Sequence, residues 1–205
     1  MTDDVQLCLA TPPLRDAAGF LPGLDAALSA HGVTSLLVRL EPMDEAAAVK
    51  LLRKLAAPAQ AAGVAVLVEG APELALAAGL DGAHGPPSER LAKEAVRKLS
   101  PDYIVGASVG DSRDVAMRIG ETGVDYLLFE TPDSARRLEE VGWWAELFNT
   151  PCVAFAEDLD FLTEIAAAGA DFVMLSDCVW NDPRGPAAAV ADARARLGAI
   201  ERAPR

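Results

Sequence analysis

Residues 123–130 read Gly-Val-Asp-Tyr-Leu-Leu-Phe-Glu, and residues 169–176 read Gly-Ala-Asp-Phe-Val-Met-Leu-Ser. Each segment is a glycine, one apolar residue, an aspartate and then a short apolar run of strand character. Glycine is favoured just past a helix C-terminus because it enters the left-handed region without a Cβ clash. The same join recurs at Gly32-Val33, Gly63-Val64 and Gly79-Leu80, the last again followed by an aspartate, Asp81. One helix-to-strand turn is therefore built repeatedly along the chain.

Outward from these joins, short apolar runs alternate with Ala- and Leu-rich stretches, the pattern of βα units around a parallel sheet. Strands are predicted at Val5–Ala10, Ser35–Leu40, Ala65–Glu69, Gly82–His84, Tyr103–Ser108, Tyr126–Glu130, Cys152–Ala156 and Phe172–Ser176. Helices are predicted at Leu21–Ala30, Met43–Ala62, Pro72–Ala78, Ser88–Leu99, Ser112–Glu121, Asp133–Phe148, Asp160–Ala168 and Pro186–Ile200. The glycine cap would serve an open doubly wound sheet equally well, so the count decides: eight strands and eight helices predict an α/β fold, a single closed (β/α)8 TIM barrel. Pro186 suits the first turn of its helix, whereas Pro58 is expected to kink or shorten the second. No Pro-, Ser- or Gly-rich linker divides the chain, so residues 1–205 are read as one domain with a frayed tail at Ala199–Arg205.

With 205 residues, 51% apolar and 24% charged, the composition is globular. Uncharged apolar runs fall well short of the ~18 residues of a membrane span, and Met-Thr-Asp-Asp at the start lacks a signal-peptide pattern. A cytoplasmic location is expected, with no membrane partner. Three cysteines without a C-x-x-C pair argue for reduced thiols. A formal charge of −13 opposes binding to nucleic acid or anionic lipid.

No general catalytic signature is present, neither G-x-S-x-G, H-E-x-x-H, a phosphate-binding P-loop nor G-x-G-x-x-G. His31 falls at a helix end and reads as a surface residue. His84 falls at the C-terminal end of the fourth strand, where barrel active sites are built, and a structural role for it stays open. The other strand ends bring Arg39, Glu41, Glu69, Ser108, Glu130, Glu157, Asp158, Ser176 and Asp177 to the same rim. Six carboxylates together there repel one another unless a cation or raised pKa values relieve them. Arg39, alone in an apolar strand, needs a partner, and Glu69 on the neighbouring strand is the candidate.

In order and spacing, Leu36-Leu37-Val38-Arg39, Glu73-Leu74-Ala75-Leu76 leading into Gly82-Ala83-His84, Gly106-Ala107-Ser108, Gly123-Val124-Asp125-Tyr126 and Gly169-Ala170-Asp171-Phe172-Val173 resemble the thiamine phosphate synthase and TenI-like (thiazole tautomerase) family of barrels, from about Val5 to Leu197. The resemblance implies a small-molecule ligand and a transferase reaction of thiamine biosynthesis. In that reaction an aminopyrimidine diphosphate joins a thiazole phosphate and diphosphate is expelled with magnesium (Mg). It implies catalytic roles for Arg39, His84 and Ser108. Substrate or phosphate contacts fall to Ser176, Asp177, Glu157, Glu69 and Glu130, and a metal-ligand position falls to Glu89.

Several positions depart from the family pattern. Leu37 and Glu41 stand where the family has glutamine and lysine around its strand-2 arginine, and Glu69-Gly70-Ala71 stands for Asn-Asp-Asp. Pro86-Pro87 replaces Gly-Gln, and the tautomerase histidine is absent from Val109-Gly110-Asp111. Glu130-Thr131-Pro132-Asp133 replaces the Thr-x-Thr-Lys loop that grips diphosphate, and Ala156-Glu157 replaces a Gly-Gly phosphate turn. Diphosphate sites need cations and free amides, whereas a phosphate facing such carboxylates at about 4 Å meets about 1–4 kcal/mol of repulsion per pair. The expectation is a divergent family member with a pocket at the barrel mouth and weakened or lost synthase activity. Two alternatives stand beside it. One is an active synthase with a rearranged site. The other is a non-catalytic interaction protein using Trp143, Trp144 and Phe148, with a homo-oligomer left open.

Overall fold

The computed structural model describes residues 4–200. Eight parallel strands close into one barrel in sequence order: β1 (Gln6–Ala10), β2 (Val33–Val38), β3 (Ala65–Glu69), β4 (Gly82–Gly85), β5 (Ile104–Ser108), β6 (Tyr126–Phe129), β7 (Cys152–Phe155) and β8 (Phe172–Leu175). The ring closes where Cys8 of β1 pairs with Met174 of β8. Around it run α1 (Leu21–Ser29), α2 (Glu45–Ala61), α3 (Pro72–Ala78), α4 (Glu89–Leu99), α5 (Arg113–Gly120), α6 (Ser134–Leu147), α7 (Leu159–Ala167), the single-turn α8 (Asp177–Trp180) and α9 (Pro186–Gly198). The predicted (β/α)8 barrel is thus the fold. Among the described residues it carries one helix more than predicted, because a short turn inserts after β8.

The glycine joins do what their chemistry suggests: Gly32, Gly63, Gly79, Gly123 and Gly169 all have positive φ. The aspartates that follow have a further task. Asp81 accepts the backbone N–H of Val66 at 2.7 Å, Asp125 that of Val105 at 2.7 Å, and Asp171 that of Cys152 at 2.9 Å. Each aspartate, just before an even-numbered strand, thereby ties down the start of the odd-numbered strand preceding it. Thr34, two residues after Gly32, plays the matching part for β1 by donating its hydroxyl to the Leu7 carbonyl at 3.0 Å. The repeat unit is therefore a pair of strands, and the polar residue closes each pair at the lower, N-terminal rim.

Pro58 does not end α2, which continues to Ala61. The proline sits in the last turn, where its missing N–H frees only the carbonyl of Lys54, an exposed residue. Helix α9 ends at Gly198; of the tail expected to fray, residues 201–205 lie outside the described residues. One apolar layer packs between strands and helices and includes Leu24, Leu52, Ile119, Phe129 and Trp144. A second, inside the barrel, is made by Cys8, Ala10, Leu37, Leu67, Leu128, Val153 and Met174. Trp144 is 1% exposed, stacks on Phe148 at 4.0 Å and donates its indole N–H to the Thr150 carbonyl at 2.8 Å. An indole on the inner side of α6 covers the sheet, as aromatics on a barrel helix commonly do, so Trp144 is not available to the partner face that the interaction-protein alternative gave it.

Candidate active site at the barrel mouth

Strand β2 ends at Val38, so Arg39 is the first residue past it, at the C-terminal rim. Its backbone is anchored by the N–H donated to the Thr11 hydroxyl at 3.0 Å. The guanidinium lies 3.3 Å (Nε) from Glu69 Oε2 and 3.6 Å (Nη2) from Glu130 Oε2, with about a fifth of the side chain exposed. The expected Arg39–Glu69 pair is formed, and Glu130 joins it from across the barrel.

From Glu130 a chain of hydrogen bonds runs into the barrel. Ser108 donates its hydroxyl to Glu130 Oε1 at 2.5 Å. Having spent its single proton there, Ser108 accepts from His84 Nε2, 3.0 Å away. A neutral His84 protonated on Nε2 leaves Nδ1 as acceptor, and the Tyr126 hydroxyl fills it at 3.0 Å. The tautomer is set by its two partners. Burial, with Arg39 adding to it, pushes the imidazole pKa down to about 3, so the ring stays neutral at physiological pH. Burial likewise pushes the Tyr126 phenol up. The phenol reaches across β5 only because residue 106 is glycine: a Cβ there would sit 2.0 Å from the Tyr126 ring. His84 therefore orients Ser108 by donation and has no free lone pair with which to act as a base.

Tyr126 was not singled out from the sequence. Its signal lay in Gly106, on the strand between Tyr126 and His84, where a residue without a side chain makes room for a ring.

The remaining rim residues take other partners. Glu41 pairs with Arg15. Asp158 caps α7 by accepting the N–H groups of Asp160 and Phe161. Glu157, expected as a substrate contact, is held by Arg137 at 2.8 Å and by the Ser134 hydroxyl at 2.7 Å. Partial burial raises its pKa, but the bonds from Arg137 and Ser134 outweigh that and hold the carboxyl below its ordinary range. The reason is Arg137 itself: 2% exposed and bonded to the Thr131 and Phe155 carbonyls, it needs a counter-charge. In the sequence Arg137 shares a helical face with Val141, Trp144 and Phe148 at three- and four-residue spacing, the signal that it points inward. The predicted acidic rim is thus largely neutralised by local cations and a helix N-terminus. Ser176 is buried just past β8, and Asp177 is exposed in the first turn of α8.

Glu89, the predicted metal position, lies in the first turn of α4, 2.6 Å from Lys93 and 3.6 Å from Arg118. The Lys93 bond holds its carboxyl below the ordinary range. Among the described residues no group of three or more His, Cys, Asp or Glu side chains could hold a metal ion. Glu89 with its two cations does not fit a magnesium site.

The family described as thiamine monophosphate synthase matches this chain over residues 7–179. The chain belongs to that family. The thiamine-phosphate synthase of Rhodospirillum centenum is 37% identical over 198 residues, covering 92% of this chain and 96% of that protein. The thiamine-phosphate synthase of Hyphomonas neptunium is 37% identical over 210 residues, covering 93% and 95%. Among solved structures, thiamine phosphate pyrophosphorylase from Pyrococcus furiosus superposes with a TM-score of 0.80 at 21% identity, over 95% of this chain and 96% of that one, and so shares the fold. In this thiamine monophosphate synthase family member, the geometry links Arg39 through Glu130 to Ser108 and His84. Glu69 and Glu130 close around them.

Proposed function

We propose that this family member binds a small ligand at the barrel mouth and that its capacity to expel diphosphate is weak or lost. The observation that carries the reading is the state of Arg39, the cation at the centre of the mouth, which is already held between Glu69 and Glu130. With Glu69 and Glu130 partly in water, solvent screens each pair to about 1 kcal/mol or less. An incoming diphosphate must displace both carboxylates and then face them. Two further arginines, Arg15 and Arg137, are likewise matched by Glu41 and Glu157. Such a mouth favours a neutral or cationic ring over a phosphate. No helix of the described residues is long and apolar enough to cross a membrane, and a cytoplasmic setting is part of the proposal.

A second reading, a working synthase with a rearranged site, is favoured by the 37% identity to thiamine-phosphate synthases over nearly the whole of both chains. One experiment separates them. Purified protein is given the aminopyrimidine diphosphate, the thiazole phosphate and magnesium, and thiamine phosphate is followed with time. The first reading expects turnover at least a thousandfold below the ordinary enzymatic range of about 1 per second or more. Turnover within that range refutes it and establishes the second.

A further inference from the structure

Below the mouth, the barrel lumen holds a cavity of about 160 Å³. Barrel interiors are normally filled by layers of bulky branched side chains. Here Cys8, Ser35 and Ala65 stand in register on three neighbouring strands, and their small side chains leave one side of the layer unfilled opposite Ile104, Tyr126 and Phe172. Leu37 and Leu67 also line the cavity. They lie two residues before Arg39 and Glu69 on the same strands and so one layer beneath them. Ser35, Ala65, Ile104 and Phe172 are partly exposed, which places the opening at the N-terminal face, opposite the mouth.

The lining defines the chemistry of an occupant. It contains no acidic or basic side chain. The Thr34 hydroxyl is spent on the Leu7 carbonyl, the Tyr126 hydroxyl on His84, and the Ser35 hydroxyl is engaged with the Cys8 thiol. Burial keeps the Cys8 thiol protonated. A charged or strongly polar molecule would leave water without compensation, whereas an apolar cavity of about 150 Å³ accepts benzene or xenon. We propose that the N-terminal end of the lumen is a second binding site, for a small neutral apolar molecule of about benzene's size. The proposal does not rest on the reading of the mouth, with which the cavity shares Tyr126.

The test uses the intact protein with benzene as probe and benzoate as its charged counterpart. Benzene at tenfold over its dissociation constant is expected to raise the melting temperature by roughly 3 °C or more, and benzoate not at all. Filling the space with Ala65→Leu, or more mildly with Ser35→Val, is expected to abolish the benzene shift while circular dichroism shows the fold intact. Crystals under xenon give a readout that needs no variant: a xenon peak between Cys8, Ala65 and Phe172 is expected. Absence of that peak, no shift with benzene, or an undiminished shift in whichever variant folds overturns the proposal.

Discussion

Lowering the pH from 7 to 5 demands a proton of His84 that its surroundings cannot accommodate. Nδ1 already accepts from Tyr126, Nε2 donates to Ser108, and the Arg39 charge lies nearby. In the unfolded chain a histidine takes its proton near pH 6.5; in the folded barrel that point drops to about 3. Between these values the unfolded state binds the extra proton, so the stabilisation from keeping His84 neutral is fully present above about pH 6.5 and is lost as the pH falls toward 3. Applied to these two values, linkage makes the protein about 2 kcal/mol less stable at pH 5 than at pH 7, and roughly 4–8 °C lower in melting temperature. Urea unfolding at pH 7, 6 and 5 measures this directly. Glu157, held below its ordinary range, loses its contribution only at lower pH. Repeating the series with His84→Gln, and with His84→Asn should the first fold poorly, removes the slope due to this ring alone. A parent protein whose stability changes by less than about 0.5 kcal/mol across the interval would refute the reasoning, as would a variant with an unchanged slope.

Arg137→Met should cost about 3–5 kcal/mol, because it strands the Thr131 and Phe155 carbonyls and the Glu157 carboxylate. Arg39→Met, with a fifth of its side chain in water and its two carboxylate partners screened by solvent, should cost about 1 kcal/mol or less; paired denaturation curves compare the two, and equal costs would count against the burial argument. Gly106→Ala should push the Tyr126 ring off His84, lowering stability by about 1–3 kcal/mol and shifting the His84 imidazole nitrogen resonances. An unshifted imidazole spectrum would show that the ring did not need the space.

The barrel was legible in the sequence because its signals are local. Strand runs alternate with helical stretches, and left-handed glycines close the helices, features that depend on residues within one turn of each other. The aspartates after Gly79, Gly123 and Gly169 were visible as a repeat, but not their bonds to Val66, Val105 and Cys152, because those partners lie 15 to 20 residues away. Helix α8 was not foreseen, since a single turn carries too few residues to show a period.

By itself the sequence determined the fold, the family, and the presence of Arg39, His84 and Ser108 at strand ends facing one rim. Beyond the Arg39–Glu69 pair, it could not say which partner each polar side chain would take. Arg137 finds Glu157 across 20 residues, His84 finds Tyr126 across 42, and Arg39 is shared by Glu69 and Glu130, while Glu89 turns to Lys93 and Arg118. Charge pairing and hydrogen bonding act over a few ångströms in space and are indifferent to separation along the chain. Closing the barrel therefore decided which of the acidic residues line the mouth and which only neutralise an arginine beside it.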